Sequence, residues 1–359
     1  DGAYAREEAA FERLKNEYDR AKKLARLESA LREEDEAQLE ELRGEIDRML
    51  EKVCGCKALI ERNADGFFEF TLDTGPNKTV QYIAALIRQN APRELVEDWI
   101  INAWLPPFTS KAANAAVRIK DHVYSGADFT VFYEIDETNK CLHTQVYCPG
   151  YRDILDEDRK RDMSAYMLEL FLGELELEAR IASVQAIDEP LSDGENFCLL
   201  PNFYEDVCDI IIANDWLEYH DPTSIYMVYK LSEQPVHDTL RNDMKLIITT
   251  NALLQEEVLQ GNDDSCKDFH DKGGEYGYLY YENPYTDEKN ALIRQTMEKR
   301  LDEQLQKLSV ARTIGGAIGE FYSYIDVAVF DPDAFAIILE DLNTKISFDL
   351  HYRPFMDAE

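Results

Sequence analysis

The stretch richest in donor groups is residues 261–274, which read GNDDSCKDFHDKGG. A calcium loop needs ligands at alternate positions and a bidentate Glu at its far end, and this stretch has neither. His270 lies beside Asp271, but adjacent side chains point apart, and no nucleophile motif accompanies them. A Cys266 nucleophile with His270 as its base is the remaining catalytic interpretation. We predict a solvated polar loop without metal ligands or catalytic residues, and it is the only enzyme-site candidate.

The seven cysteines form an odd and scattered set, which favours reduced thiols in the cytoplasm over a disulfide framework. The only close pair is Cys54-Gly55-Cys56, and a one-residue spacing without a second pair does not make a four-ligand zinc site. The chain also lacks a Walker phosphate loop, a dinucleotide fingerprint, a Gly-x-Ser-x-Gly elbow and an HExxH motif. We therefore predict no cofactor.

Charge is the strongest compositional signal, because the 359 residues carry a formal net charge of −34 at pH 7. Nucleic acids and anionic membranes are bound through Lys and Arg, so this composition disfavours both as direct ligands. No apolar run approaches the roughly 18 residues of a membrane span. The charge favours a protein as the partner, in particular a basic one, and the alternative explanation is that the charge serves only solubility.

The N-terminal part predicts helices that must pack on something. Leu39, Leu42, Ile46, Met49 and Val53 follow one another at steps of three and four, which is the spacing of a one-faced heptad seam. Asp35 followed by Gln38 resembles a capping box at a new helix start. We predict a helical hairpin over residues 1–57. A single long helix that pairs with another chain, or an amphipathic helix docked on its own domain, remains open.

The rest of the chain predicts an α+β fold of two antiparallel-sheet domains with helices on one face. Residues 58–190 give the order strand, helix, several strands, helix and strand. Residues 191–196 are the best linker, and residues 197–359 form the second domain. The motif at 171–174 and the one at 317–320 both read as a helix end followed by Gly-Glu and a strand, which suggests a duplication.

The C-terminal domain is organised around residues 313–331, TIGGAIGEFYSYIDVAVFD. Gly315, Gly316 and Gly319 predict a turn between a helix and a strand, and the apolar run after it predicts a central strand. Asp331 and Pro332 then predict the cap and first position of a following helix.

Two tyrosine-rich strands could provide a binding surface, because tyrosine rings give large contact area with few rotors to order. The competing interpretation is that these rings are half-buried sheet residues. The seam of the hairpin is the other candidate surface, through self-association or a different protein. The candidate partner-binding residues are Tyr276, Tyr278, Tyr280, Tyr281, Leu39, Leu42, Ile46 and Met49.

Short motifs resemble those of the bacterial domain-of-unknown-function family numbered 695. They are the IGEFYSYID core within residues 311–330, Asn90-Ala91-Pro92 with Trp99, and Leu172-Gly173-Glu174. The resemblance covers residues 60–355 and leaves the N-terminal helices unexplained. It implies no established activity, cofactor or catalytic residue, although some relatives resemble ribonuclease-regulator domains.

These observations predict a non-enzymatic intracellular protein that binds another protein or acts as an adaptor. The first alternative is an acidic inhibitor or immunity-type protein that blocks a basic enzyme such as a nuclease. The second alternative is an enzyme whose site lies in residues 261–274.

Overall fold

The computed structural model of this chain describes residues 15, 22–231, 239–285, 288–347 and 349–356. None of the helices in these ranges has the length and apolar character that crossing a membrane requires. The predicted α+β class is confirmed, with helices alongside four sheets in the described residues.

Two helices begin the described chain, α1 over residues 22–33 and α2 over Glu36–Val53. Asp35 caps α2, because its Oδ1 accepts a hydrogen bond from the backbone N–H of Gln38 at 3.1 Å. The two helices contact each other, with Arg26 Nη2 2.7 Å from Glu41 Oε2. The hairpin over residues 1–57 stays a prediction as a whole, since most of its first helix lies outside the described residues.

A three-stranded sheet follows, in which β1 is antiparallel and β3 parallel to the middle strand β2. Two helices, α3 and α4, connect β2 to β3. Val80 and Ile83 of α3 are buried in the same core as Phe269 and Tyr276, so this unit packs against the C-terminal part of the chain. The elements are β1 (Lys57–Arg62), β2 (Phe68–Asp73), α3 (Lys78–Gln89), α4 (Arg93–Asp98) and β3 (Trp99–Asn102).

The middle of the chain forms a two-stranded sheet, β4-β5, and a four-stranded sheet of order β8-β7-β6-β9. Helices α6 and α7 cover one face of the larger sheet, where Met167 and Val207 pack against Val131 and Val146. The elements are α5 (Ser110–Ala113), β4 (Ala116–Ile119), β5 (His122–Ser125), β6 (Thr130–Asp136), β7 (Cys141–Tyr147), α6 (Glu157–Arg180), β8 (Ile181–Ile187), β9 (Phe197–Leu199) and α7 (Phe203–Ala213).

The predicted linker, residues 191–196, does not coincide with a boundary between hydrophobic cores. Strand β9 follows this stretch directly, and it pairs with β6, which comes before the stretch in the sequence. Leu200 and Phe203 are fully buried in the core that α6 and β7 share. The division into domains at this point stays a prediction.

The C-terminal part builds a six-stranded sheet of order β10-β11-β13-β14-β12-β15. The predicted central strand is confirmed as β14, and Asp331 caps the next helix by accepting from the N–H of Ala334 at 3.0 Å. The elements are β10 (Met227–Lys230), β11 (Met244–Thr249), α8 (Ala252–Gln260), α9 (Asp264–Asp271), β12 (Glu275–Glu282), α10 (Lys289–Lys307), β13 (Ala311–Gly319), β14 (Tyr322–Val329), α11 (Pro332–Asn343) and β15 (His351–Pro354).

Helices cover both faces of this sheet, and the prediction of helices on one face is wrong here. Ile325 and Val327 of β14 pack against Leu301 of α10 on one side. Ala328 packs on the other side in a core that includes Leu254 of α8. A strand with apolar residues at successive positions needs cover on both faces, and α10 and α11 supply one side while α3, α8 and α9 supply the other.

The predicted glycine turn is also wrong, because Gly315, Gly316 and Gly319 lie inside strand β13. Gly315 and Gly316 have φ values of 125° and 157°, and the strand bulges between Thr313 and Gly315. A Cβ at position 315 would lie 2.0 Å from the carbonyl oxygen of Ile248. These glycines therefore serve the close approach of neighbouring strands.

The suggested duplication is not confirmed. Gly173 lies within α6, where its φ of 75° and ψ of 164° kink the helix, whereas Gly319 ends a strand. The similar letters at 171–174 and 317–320 thus occupy different kinds of element.

Candidate protein-binding surface

The tyrosines that the sequence nominated for partner binding are mostly interior. Tyr276, Tyr278 and Tyr281 are only 1%, 8% and 2% exposed, and Tyr280 is half-buried. Their strand, β12, pairs with β14 on one side and β15 on the other. A strand with two neighbours and largely covered faces offers little ring surface to a partner, and among these four tyrosines only Tyr280 is partly accessible.

Each buried ring on β12 has its own partners within the chain. The hydroxyl of Tyr276 lies 2.7 Å from Oγ1 of Thr79, and burial raises the pKa of Tyr276 well above its ordinary value. The guanidinium of Arg241 lies 4.9 Å from the Tyr278 ring centre and forms an ion pair with the fully buried Asp326 at 2.8 Å. Through these contacts Tyr276 and Tyr278 stabilise the fold of their own chain.

The seam residues of α2 face their own chain. Leu39 and Leu42 are 3% and 4% exposed and share a core with Trp99, and Ile46 is half-buried. Met49, at 66% exposure, is the accessible member of the four predicted residues. The sequence pattern was read correctly as an apolar helix face, but its partner is the three-stranded sheet beneath it.

The polar stretch 261–274 is not a loop, because residues Asp264–Asp271 form helix α9. The helix buries Cys266 and Phe269 while His270 is exposed. Burial and the nearby carboxylates of Glu257 and Asp263 raise the pKa of Cys266 to about 12, so the thiol is protonated at neutral pH. A protonated thiol facing the core does not suit the alternative interpretation of Cys266 as a nucleophile with His270 as its base, and the predicted solvated loop is replaced by a helix.

The close thiols Cys54 and Cys56 are both buried, with their sulfur atoms 3.1 Å apart. The hydrogen bond from Cys56 lowers the pKa of Cys54 to about 7, and the same contact raises the pKa of Cys56. Gly55 between them has a φ of 73°, which glycine adopts without strain. All seven cysteines of the chain are free thiols.

A perturbed carboxyl group lies at the kink of α6. Glu174 is 2% exposed, and its backbone N–H donates to the carbonyl of Leu105 at 2.8 Å. Burial and the neighbouring carboxylate of Glu169 raise the pKa of Glu174 to about 8, which Lys78 partly offsets. This group is therefore largely neutral at physiological pH.

Strand β10 is the exposed counterpart of β12. All four of its residues are exposed, and it lies at the edge of the six-stranded sheet with β11 as its neighbour. Met227, Val228 and Tyr229 are 37%, 60% and 41% exposed, and Tyr226 just before the strand is 45% exposed. Within the described part of the chain, no strand pairs with the outer edge of β10.

The register shows which backbone groups of β10 face outward. Leu231 donates its N–H to the carbonyl of Lys245 at 3.0 Å, directly after the pair Lys230↔Leu246. Hydrogen-bonded and non-hydrogen-bonded pairs alternate along an antiparallel ladder. The N–H and C=O groups of Val228 and Lys230 therefore point away from β11, towards the open edge.

Charged groups of both signs lie near Tyr226, just before β10. Burial and the carboxylates of Glu298 and Asp302 raise the pKa of Tyr226 to about 12, and the guanidinium groups of Arg312 and Arg294 partly offset this shift. The whole chain carries a net charge of −34. A partner that approaches this edge thus meets apolar and aromatic side chains and the exposed Lys230, on a chain whose overall charge is negative.

Sequence reasoning missed this strand as a surface. The alternation of Ile225, Met227 and Tyr229 is typical of a strand over residues 224–231. Alternation identifies a strand but not its place in the sheet, and the order β10-β11-β13 depends on contacts between distant parts of the chain. The run of four exposed residues, three of them apolar or aromatic, is a signal only once the edge is known.

One group of side chains among the described residues has donor atoms close enough together for a metal ion. It consists of Asp136, Cys141 and His143, on strands β6 and β7 of the four-stranded sheet.

No family model matches this chain, and neither the curated proteins nor the solved structures include a significant match. The resemblance to family 695 accordingly stays a prediction from short motifs.

Proposed function

We propose that this protein binds another protein by accepting an extended, basic segment of that partner along the open edge of β10. The observation that carries the proposal is the exposure of all four β10 residues at the end of a six-stranded sheet. Addition of a strand to such an edge is a common mode of peptide recognition, in which main-chain hydrogen bonds give affinity and side chains give specificity.

The outward groups of Val228 and Lys230 can form about four main-chain hydrogen bonds with an added strand. Each contributes on the order of 1 kcal/mol net, so the edge alone supports modest affinity. The exposed side chains of Met227, Val228 and Tyr229 add apolar contact area. Electrostatic attraction then supplies speed of association and selectivity for basic segments.

Charge favours a basic partner over a second copy of this chain. Two copies, each with a net charge of −34 over the whole chain, would repel each other, and this repulsion would oppose their pairing. A basic segment gains from the same field. Its affinity should fall as salt screens the interaction, since the Debye length is about 8 Å at physiological ionic strength.

The test is affinity capture from a native cell extract on the immobilised full chain, at low and high salt, with identification by mass spectrometry. Val228→Pro removes an outward N–H while sparing the bonds to β11, and proline is tolerated on edge strands. Val228→Ala is the matched control, because it trims the side chain but keeps the N–H.

The proposal predicts one stoichiometric basic partner, released by salt, retained by Val228→Ala and lost with Val228→Pro. Equal retention by both variants would place the partner elsewhere on the chain. Capture of nothing at either salt concentration would overturn the binding function itself.

Inhibition of a basic enzyme such as a nuclease is the alternative function, favoured by the net charge of −34. The captured partner distinguishes the two. If it is an enzyme, titration with the full chain should abolish its activity at a one-to-one ratio, whereas an adaptor leaves the activity unchanged.

A further inference from the structure

The hairpin of β6 and β7 brings three different metal-binding side chains to one face of a sheet. Asp136 is the register partner of Cys141, and Glu134 is the partner of His143. Residues two apart on a strand share a face, and so do register partners. Asp136, Cys141 and His143 therefore lie on the same face, at the end of the hairpin next to its turn. This face is opposite the one that α6 and α7 cover.

The separations suit a small metal ion. Donor atoms of Asp136, Cys141 and His143 all lie within 4.8 Å of one another. Oδ2 of Asp136 is 3.7 Å from Nε2 of His143. A tetrahedral zinc site with bonds of the usual lengths has donor atoms about 3.4 to 3.8 Å apart. The carboxylate and the imidazole are thus already at a suitable separation, and the sulfur of Cys141, within 4.8 Å of both, is the third donor.

Neighbouring groups hold two of these side chains in place. Nδ1 of His143 lies 2.9 Å from Oγ of Ser183 on the adjacent strand β8, which leaves Nε2 directed towards Asp136. Asn139 in the turn donates from its side chain to Oδ2 of Asp136 at 2.7 Å and from its backbone to Oδ1 at 2.9 Å. Partners of this kind orient the ligands of metal sites and are common around zinc-bound histidines.

The combination of donors selects the class of metal. A thiolate and an imidazole favour Zn²⁺ over Ca²⁺ and Mg²⁺, which prefer oxygen ligands. Three protein ligands leave one position of a tetrahedral zinc open for water or for another side chain. We propose that Asp136, Cys141 and His143 form a zinc site with one open coordination position on the exposed face of the four-stranded sheet.

Binding should be coupled to loss of a proton. The ordinary thiol of a cysteine is protonated at neutral pH, and the form that binds zinc is the thiolate. Zinc therefore replaces the proton of Cys141 when it binds.

The direct test is titration of the full chain, freed of metal with a chelator, with Zn²⁺ in competition with a chromophoric zinc indicator. The proposal predicts one tightly bound Zn²⁺ per chain. Cys141→Ser or His143→Gln should weaken binding by about 100-fold, and Ser183→Ala by about tenfold through the loss of orientation. Cys208→Ser is the matched control, because it removes a half-buried thiol outside the site.

Cobalt provides a second readout that does not depend on affinity alone. Co²⁺ bound at this site should produce a thiolate-to-cobalt charge-transfer band that disappears with Cys141→Ser and persists with Cys208→Ser. Circular dichroism of each variant should match that of the unaltered chain, since the three residues lie at a hairpin end. Zinc binding that survives both Cys141→Ser and His143→Gln, or no binding at micromolar Zn²⁺, would overturn the proposal.

Discussion

Strands β10 and β12 belong to the same sheet and both contain aromatic and apolar residues, yet one is accessible and the other is interior. β12 has a strand on each side and three nearly inaccessible tyrosines. β10 has one neighbour, and its four residues are all exposed. The difference comes from the position of each strand in the sheet, because β10 lies at an edge and β12 lies between two strands.

This contrast shifts the proposed partner-binding surface from β12 to β10. The proposed function, binding of another protein, stays the same. The tyrosine rings of β12, which the sequence suggested for partner binding, instead pack helices and strands together inside the chain. The accessible edge is shorter and less rich in tyrosine, but its outward backbone groups pair with no other strand within the described residues. For recognition by strand addition, open backbone groups matter more than the number of aromatic rings.

Proline at matched positions gives the largest expected difference. Leu279→Pro in β12 should lower the free energy of unfolding by about 4 kcal/mol or prevent folding, because β12 bonds to neighbours on both sides. Val228→Pro in β10 should cost less than about 1 kcal/mol. Urea denaturation of both variants measures the difference, and equal losses would show that the edge of β10 is not open.

Truncation of a tyrosine should give the second-largest difference in stability between a change in β12 and a change in β10. Tyr276→Ala is expected to lower the free energy of unfolding by about 4 kcal/mol, since it removes a fully buried ring and leaves a cavity. Tyr229→Ala, at a position 41% exposed, should cost no more than about 1 kcal/mol. The same denaturation experiment checks both, with a large loss for Tyr229→Ala contradicting its exposed position.

A buried carboxyl group, that of Glu174, should make stability depend on pH, whereas an exposed carboxyl group should not. Because Glu174 has a pKa raised from 4.5 to about 8, its neutral form is favoured in the folded state. Its contribution to stability is therefore present below pH 4.5 and is lost as the pH rises from 4.5 to 8. Glu174→Gln should raise the free energy of unfolding at pH 9 by about 3 kcal/mol and change little at pH 4.

Glu282→Gln, at the exposed end of β12, is the control for this measurement. It should change stability by less than about 0.5 kcal/mol at either pH. If Glu174→Gln gives the same small change at pH 9 as Glu282→Gln, the carboxyl group is not buried as described.

Removal of single hydroxyl groups gives the smallest effect. Tyr276→Phe should cost about 1 to 2 kcal/mol, because it leaves Oγ1 of Thr79 without the partner 2.7 Å away. Tyr229→Phe should be close to neutral, since its hydroxyl contacts only the sulfur of Met227 among the described residues, at 3.4 Å. Thermal unfolding of the pair is sensitive enough to rank them.

Local features of the fold were predictable from the sequence. The cap at Asp331, the hairpin of β6 and β7 and the central strand β14 all depend on short-range chemistry and apolar periodicity. Helix α9 was missed because many polar residues concealed Cys266 and Phe269 on one face. The order of the strands was not predictable, because it depends on which distant strands pair.

The metal-binding group was missed for the same reason. Its residues lie within eight positions, but their common face depends on the hairpin register and on Ser183 from another strand. The linear sequence contains no familiar metal-binding motif around these residues, while register brings one histidine to a cysteine and an aspartate. Only the paired strands make the spacing 136, 141 and 143 meaningful.

The glycine at position 315 has a consequence for the interface that lies two strands away. Its missing side chain lets the carbonyl of Ile248 come within 2.0 Å of where a methyl group would be, and Ile248 is also the register partner of Val228. An alanine at 315 would push β11 outward and carry β10 with it. The absence of a side chain at position 315 therefore sets the distance between β13 and β11. It thereby also sets the position of the β10 edge, where we propose that a partner binds.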